Sequence, residues 1–296
     1  MKTSHNPQEK GGLILVHKKP GLTSFQVVNR VRKIINVKKA GHSGTLDKAA
    51  EGLLLICYGK STKLLKFLTG QSKQYRAKIR FGIQTSTDDE EGEVLQTNLG
   101  PFDREIIESK LKYYSGKIIQ TPPDYSAVHV NGKRAYQIIR ETGKKPEIKS
   151  REVTIHNLKV LDYTPPILEL DIFCSSGTYI RSIARDLGKE TGYYAHLKYL
   201  IRSAIGDYNL SNSYTLEDIE NNNYKTISPF DILKIPSLEI KEEFIKDIKN
   251  GKKPRDQWFV ENPGTPAEEY YKVHFQKELL ALVKTQSDSL IYDFVF

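Results

Sequence analysis

The sequence predicts an α+β fold, and three segments carry that prediction. Lys73–Phe81 alternates between apolar and mostly cationic residues, which is typical of an antiparallel strand with one face in solvent. Residues 53–58 are apolar without interruption, as in a strand that is buried on both faces. Residues 25–37 repeat their apolar side chains at helical spacing, which predicts an amphipathic helix.

The N-terminal segments lead from a short strand into that helix. Residues 13–16 are apolar and predict the first strand, and Pro20-Gly21 signals a turn after it. Thr23 or Ser24 then suits the helix N-cap. Basic residues occupy the other face of the helix and the positions after it: Arg30, Arg32, Lys33, Lys38 and Lys39. Such a face is usually solvated, and beside the loop described next it could also hold phosphate groups.

A glycine-framed loop at residues 41–47 is the clearest candidate for chemistry. Gly41 and Gly44 permit backbone conformations that other residues resist, and the loop ends in Asp47, just before the buried strand. Functional side chains are often held on such constrained loops at the edge of a rigid core. Asp47 is therefore a candidate catalytic carboxylate. The alternative is that it only caps the turn.

In the alternating strand, Tyr75 opens the inward row, where most tyrosines are core residues. Arg76, Lys78 and Arg80 form a cationic outward row. The acidic residues between positions 85 and 93 lack the spacing of a calcium-binding loop, so we expect a solvated loop there.

Further along, the pattern predicts two more helices and a turn. Residues 103–114 and 133–140 are helical candidates. Asn131-Gly132, after the strand-like residues 126–130, is a strong hairpin signal.

Two strand candidates, residues 153–163 and 167–175, precede a helix that carries Arg181 in its first turn. The helix dipole does not favour a cation there. A fixed anionic partner explains Arg181 better, with plain surface placement as the alternative. Residues 195–202 form another apolar segment before Gly206.

The 296 residues suit one large domain with a small appendage. We expect residues 1–11 to be a disordered lead-in and residues 12–237 to form the main domain. From about residue 238 the sequence pattern changes to a charged amphipathic helix followed by short strand candidates. This pattern predicts a small β-rich C-terminal domain over 238–296.

The formal net charge of +9 and the 17 tyrosines favour a nucleic-acid partner, although many basic proteins bind none. No apolar stretch is long enough for a membrane span, and the polar start is not a secretory signal. The two cysteines lie in apolar runs, which predicts buried reduced thiols and a cytoplasmic protein. No zinc-site spacing, P-loop or dinucleotide fingerprint is present, so we expect no structural zinc site and no nucleotide cofactor.

The motif around Asp47 resembles the catalytic motif of pseudouridine synthases, in the variant typical of the bacterial tRNA enzymes of TruB type. Five blocks carry the resemblance in matching order: residues 41–47 with Gly52-Leu53-Leu54; Lys19-Pro20-Gly21 with Thr23-Ser24; residues 73–77; Pro122-Pro123 through Ser126-Ala127 to Arg134-Ala135-Tyr136; and residues 176–182 with 184–188. The resemblance covers about residues 12–210 and fades after about 240. Lys48 stands where the family usually has proline, and Ser43 where it often has threonine.

The resemblance implies an isomerase that converts uridine 55 in the T loop of tRNA to pseudouridine. The family breaks the N-glycosidic bond, rotates the uracil and rejoins it through C5, without cofactor or metal. The implied fold is a mixed, mainly antiparallel sheet with flanking helices (the pseudouridine synthase fold), and residues 238–296 would be a PUA-like RNA-binding domain. The implied partner is the T-arm stem-loop of tRNA, bound by a monomer.

The resemblance also implies roles for individual residues. Asp47 matches the family's nucleophile and Arg181 its arginine partner. Tyr75 matches the tyrosine that packs on the flipped uracil, and removal of the C5 proton is a second possible role for it. The remaining predicted binding residues line the uridine pocket or lie beside the extruded nucleotide and its loop: His42, Tyr179, Leu200 and Lys19.

Two other functions compete with this one. A non-catalytic tRNA-binding or chaperone protein would explain the charge and the tyrosines, but not the complete Asp47 motif. A carboxylate-based glycoside or nucleoside hydrolase would normally need a second carboxylate as its acid, and the sequence nominates none.

Overall fold

The computed structural model describes residues 11–261, 269–286 and 289–296. The predicted disordered lead-in therefore lies outside the described residues, except for Gly11. Across the described ranges, no helix has both the length and the apolar character needed to cross a membrane.

Strands and helices are numbered here in chain order within the described ranges. The strands are β1 Gly12–Lys18, β2 Ala40–His42, β3 Glu51–Tyr58, β4 Lys73–Phe81, β5 Ile83–Thr85, β6 Val94–Thr97, β7 Gly116–Gln120, β8 His129–Val130, β9 Lys133–Arg134, β10 Arg151–Thr164, β11 Ile167–Cys174, β12 Ala195–Ile205, β13 Tyr208–Asn209, β14 Ser237–Glu239, β15 Tyr270–Phe275, β16 Glu278–Gln286 and β17 Ser289–Val295. The α-helices are α1 Ser24–Ile34, α2 Leu65–Thr69, α3 Arg104–Leu111, α4 Ala135–Thr142, α5 Ile180–Thr191, α6 Leu216–Glu220 and α7 Ile245–Lys249.

Nine strands form the main sheet, in the order β1-β3-β12-β4-β11-β10-β7, with β2 paired to β3 and β13 to β12. The pairing of β12 with β3 is parallel, and the other pairs in this sheet are antiparallel. This confirms the predicted α+β class with a mixed, mainly antiparallel sheet. Strand β12 joins the strand after the Asp47 loop to the strand that carries Tyr75.

The two strands that the sequence defined best have the predicted environments. Strand β4 has the predicted bounds, and the side chains of its inward row are buried. In β3 every residue after Glu51 is buried, because β1 and β12 pair with its edges, α1 packs on one face, and Leu68 of α2 with the C-terminal sheet packs on the other. Helices α3 and α5 pack on the Tyr75 side of the sheet, and α1 packs against β1 and β3.

Local chemistry explains where the helices and the hairpin begin. Thr23 caps α1 through a capping box with Gln26. Asn131 and Gly132 both adopt positive φ, which is the two-residue hairpin turn that joins β8 to β9. The hairpin is shorter than predicted at its first strand, and residues 133–134 pair in it instead of starting the helix.

A separate sheet of four strands, β14-β15-β16-β17, forms the C-terminal region. Leu279 and Leu282 of this sheet share a buried cluster with Leu13 and Leu53 of the main sheet, so the two sheets are packed together. The predicted β-rich C-terminal region is confirmed. Its division from the main domain at residue 238 and its PUA-like character stay predictions.

Candidate active site

The Asp47 loop runs from β2 to β3, and side chains from outside it hold its backbone. The Ser24 hydroxyl at the start of α1 donates to Leu46 O at 3.0 Å and accepts from Leu46 N at 2.8 Å. Lys18 Nζ donates to Lys48 O at 3.1 Å and Ala50 O at 2.6 Å. Both side chains are buried. The loop is therefore fixed on both sides of Asp47.

Asp47 and Arg181 meet although 134 positions separate them in the chain. Arg181 Nε lies 3.0 Å from Asp47 Oδ2; the Arg181 side chain is 5% exposed and that of Asp47 is 41% exposed. Arg181 Nε has no aligned hydrogen bond among the described residues, so charge holds the pair. The carboxylate thus faces solvent while its cation is fixed inside the protein.

Arg181 is fixed by three further contacts. Its Nη1 donates to Thr87 O at 2.9 Å, and its Nη2 donates to Tyr125 O at 3.1 Å. Asp89 Oδ2 lies 3.5 Å from Nη1. One guanidinium therefore lies between two carboxylates and ties the loops around residues 87 and 125 to the first turn of α5.

The acidic loop is solvated only in part: Glu90, Glu91 and Glu93 are exposed as we expected, whereas Asp88 and Asp89 are buried. Asp88 Oδ2 lies 3.2 Å from Arg185 Nη1, one helical turn after Arg181. Burial raises the pKa of Asp88 to about 6, although Arg185 and Arg181 oppose the shift. These two carboxylates can be buried because each has an arginine of α5 as its partner: Arg181 for Asp89 and Arg185 for Asp88.

Tyr75 lies in the core on the same side of the sheet as Leu46 and Ile180, the neighbours of Asp47 and Arg181. Burial raises the pKa of its phenol, and the nearby charge of Arg202 and a hydrogen bond to that side chain only partly offset this. A phenol with a raised pKa is a poor proton acceptor near neutral pH. This environment favours stacking over proton removal as its role.

The other predicted binding residues are spread around this region. Leu200 is in the same buried cluster as Tyr75. Tyr179 precedes α5; its backbone N–H donates to Gln120 Oε1 at 2.8 Å, and the guanidinium of Arg151 lies 5.1 Å from its ring centre. His42 Nδ1 accepts from Gly44 N at 3.2 Å, and burial lowers its pKa.

Lys19 is exposed and contacts the loop region only indirectly, through an ion pair of 3.1 Å with Glu51. The neighbouring Lys18, which no sequence pattern singled out, is the lysine that donates into the loop. Burial lowers its pKa to about 8, with Asp47 opposing the shift. Within the described ranges, no three His, Cys, Asp or Glu side chains group as metal ligands would.

Comparison with known proteins gives concordant matches. Residues 32–180 match the family model described as TruB family pseudouridylate synthase (N terminal domain). A protein named tRNA pseudouridine synthase B from Caldanaerobacter subterraneus subsp. tengcongensis is 40% identical over 254 residues, which cover 85% of this chain and 88% of that protein. A protein of the same name from Bacillus pumilus is 38% identical over 256 residues, covering 81% and 82%.

Among solved structures, a chain from an H/ACA RNP bound to a substrate RNA containing 2′-deoxyuridine matches with a TM-score of 0.71. The match covers 98% of this chain and 86% of that chain, at 21% identity. At this identity the likeness concerns the fold alone.

Proposed function

The chain belongs to the TruB family of pseudouridylate synthases, and we propose that it isomerises uridine 55 in the T loop of tRNA to pseudouridine. The observation that carries the proposal is the ion pair of 3.0 Å between a half-exposed Asp47 and a buried Arg181. The buried guanidinium fixes the position of the carboxylate, while the exposed side of Asp47 stays accessible to a substrate.

In the proposed reaction Asp47 is the nucleophile. The bond between C1′ of the ribose and N1 of uracil breaks, the detached base rotates, and a bond forms between C1′ and C5. The proton that leaves C5 is balanced by one that N1 gains, so the product is an isomer of the substrate. The residues assigned to these steps belong to this chain alone, and the reaction needs no external oxidant or reductant.

The pocket for the everted base would lie beside the Asp47 loop. Tyr75 would stack on the uracil, with Leu200, Tyr179 and His42 around it. Extruding a loop uridine costs only a few kcal/mol, less than extruding one from a duplex. RNA readers generally target such unpaired bases. An unpaired uridine in a T loop therefore suits a site that has one reactive carboxylate beside the side chains of Tyr75 and Leu200.

The tRNA backbone would be held by exposed basic residues, first among them the basic face of α1. The outward row of β4 contributes less than its sequence suggests, because Arg76 and Lys78 both pair with Glu169. The C-terminal sheet is the further candidate for RNA contact, as a PUA-like domain over residues 238–296.

We also propose the cytoplasm as the compartment and a monomer as the working form. Cys57 and Cys174 are free and buried. Burial raises the pKa of the Cys57 thiol to about 12 and that of Cys174 to about 11. Such thiols are unreactive at neutral pH, which fits a reducing compartment.

The test is replacement of Asp47 by Asn, assayed with a T-arm transcript that carries tritium at C5 of the target uridine. We expect tritium release to be abolished while tRNA affinity, measured by filter binding, stays within a few-fold of the parent, because the amide keeps the size but cannot form the covalent bond. The matched control is Asp171→Asn, since Asp171 bonds to Gln74 on the outward row of β4.

The outcomes separate the competing functions. Turnover by the Asp47→Asn variant would overturn the catalytic assignment. A parent protein that binds tRNA but releases no tritium would be the non-catalytic RNA-binding protein. Free uracil as product would identify a hydrolase instead of an isomerase.

A further inference from the structure

Arg202 is a fully buried guanidinium in the middle of the main sheet, with 1% of its surface exposed. No carboxylate among the described residues lies within ion-pair distance of it. Burying a charge is costly unless it is hydrogen-bonded, so its partners must be strong acceptors. Nothing in the chemistry described above uses this residue.

Its partners are backbone carbonyls of the Asp47 loop and of the strand that follows. Nη2 donates to Gly44 O at 3.0 Å and Nη1 to Thr45 O at 3.3 Å. Nε donates to Leu53 O at 2.9 Å. The guanidinium thus joins the entry of the loop to the strand at its exit. Together with Ser24 and Lys18, it completes a set of buried donors around Asp47.

The position of Arg202 in the sheet links this loop to Tyr75. On one side Arg202 is the register partner of Gly52 in β3, and on the other side it is the register partner of Tyr75 in β4. A Cβ atom at Gly52 would lie 2.4 Å from Arg202 O, so the two backbones are in close contact at this point. The charge of Arg202 also acts on the Tyr75 phenol, where it opposes the rise in pKa that burial causes.

We propose that Arg202 is a positioning residue for the isomerisation, which sets the placement of the Asp47 carboxylate relative to the ring of Tyr75. The proposal rests on the proposed function. Arg202 acts on the loop through the carbonyls of Gly44 and Thr45, and on Tyr75 as its cross-strand neighbour. Asp47 lies in the loop before β3 and Tyr75 lies in β4, and Arg202 donates to the backbone of that loop while it is the cross-strand neighbour of Tyr75.

Arginine is required here for geometric reasons. Its planar fork presents donors in several directions at once, and it stays charged under all conditions. A lysine places all its donors on one nitrogen at the end of a flexible stem, so it cannot reproduce the two-ended arrangement in which Nε bonds to Leu53 O while the Nη atoms bond to Gly44 O and Thr45 O. A methionine fills similar space and removes every donor, which leaves the carbonyls of the loop unpaired.

The experiment compares Arg202→Lys and Arg202→Met with the parent in full-length protein. The matched control is Lys272→Met, because Lys272 of β15 is another buried cation; its ammonium donates inward, to the carbonyls of Phe230 and Leu233 in the segment before the C-terminal sheet, and not to the surface that RNA could contact. The single-turnover rate of tritium release, the tRNA affinity and the melting temperature are measured for each protein.

We expect the single-turnover rate of the Arg202 variants to fall by about 100-fold, the size of effect known for small misplacements of reacting groups, with tRNA affinity within a few-fold of the parent. Lys272→Met should lower the melting temperature and keep the parent rate. A rate within a few-fold of the parent in folded Arg202 variants would overturn the proposal. The proposal would also be overturned if both Arg202 variants were unfolded while the control was folded, because Arg202 would then be needed for stability and not for positioning.

Hydrogen exchange in RNA-free protein separates this proposal from the function itself. Peptides covering residues 43–55 should exchange faster in Arg202→Lys than in the parent, whereas peptides covering 153–164 should not change. If the parent fails to modify the transcript, the proposed function fails, while the exchange result still decides whether Arg202 holds the loop. Unchanged exchange over residues 43–55 would contradict the positioning role.

Discussion

Asp88 is a buried carboxyl that offers a test of electrostatics at a single residue. Its pKa in the folded protein is raised to about 6, whereas an unfolded aspartate titrates near about 3.9. Between these values the folded state binds the extra proton, so the free energy of unfolding falls as pH rises from about 4 to about 6. Charged Asp88 is therefore a cost at neutral pH, even beside Arg185.

We expect Asp88→Asn to remove this dependence, because the amide does not titrate. Relative to the parent, the variant should gain about 1–3 kcal/mol of stability as pH rises through that window. Urea unfolding between pH 4 and pH 7 measures this, with the exposed Asp162→Asn as the control that should show no such trend. Parallel pH profiles for Asp88→Asn and the parent would contradict the assignment.

The same residues mark the limit of what the sequence predicts about the site. The motif around Asp47 and the first-turn arginine both nominated residues that the structure places in contact. Asp88 and Asp89 were assigned to solvent because five acids within nine positions normally repel one another into water. Their partners, Arg181 and Arg185, follow about 90 positions later, so no local pattern reveals the pairing. The same holds for buried Lys18 and Arg202, since long cationic side chains usually reach solvent.

At the scale of elements, the contact between β3 and β12 depends on one glycine. Gly52 has φ of +126°, which residues with a Cβ rarely adopt, and a Cβ there would lie 2.4 Å from Arg202 O. We expect Gly52→Ala to destabilise the protein by at least about 2 kcal/mol, from strain and overpacking together. Urea unfolding followed by circular dichroism measures this change.

Gly70→Ala is the matched control for that substitution. Gly70 has φ of −73° and nothing within 4 Å of the position a Cβ would occupy. Alanine should stabilise it by about 0.4–1 kcal/mol, through the unfolded chain. Similar effects of the two substitutions would show that the close approach of β3 and β12 is not what requires glycine.

Regular elements were predictable where their period was unbroken, as in β4, whose alternation fixed both bounds. The sequence marks β12 only as an apolar segment, although this strand pairs with both β3 and β4. Its pairing with β4 shifts register between Leu197 and Tyr199 and again between Arg202 and Ala204. Each irregularity moves the side chains to the other face, which erases the two-residue period that predicts a strand.

The whole molecule carries a net charge of +9. Its cations differ in whether a carboxylate pairs with them. Arg76 and Lys78 share Glu169. Lys33 and Lys38 are exposed, and no carboxylate in the described part of the chain forms an ion pair with them. Only cations without a local counter-charge release the condensed counterions of the RNA fully when they bind a phosphate. Location and pairing, beyond the total charge, should therefore decide which residues hold tRNA.

This distinction gives a prediction for the salt dependence of tRNA binding. Replacing Lys33 and Lys38 together by Gln should reduce the slope of log affinity against log salt by about 0.7–0.9 for each phosphate that the variant no longer neutralises. Replacing Arg76 and Lys78 together by Gln removes the same charge and should reduce the slope by less, because Glu169 already offsets one of these two cations. Filter binding between about 50 and 200 mM salt separates the two variants. A slope unchanged from the parent in the Lys33/Lys38 variant would mean that these two lysines do not contact the RNA, and equal losses of slope in both variants would contradict the role of pairing.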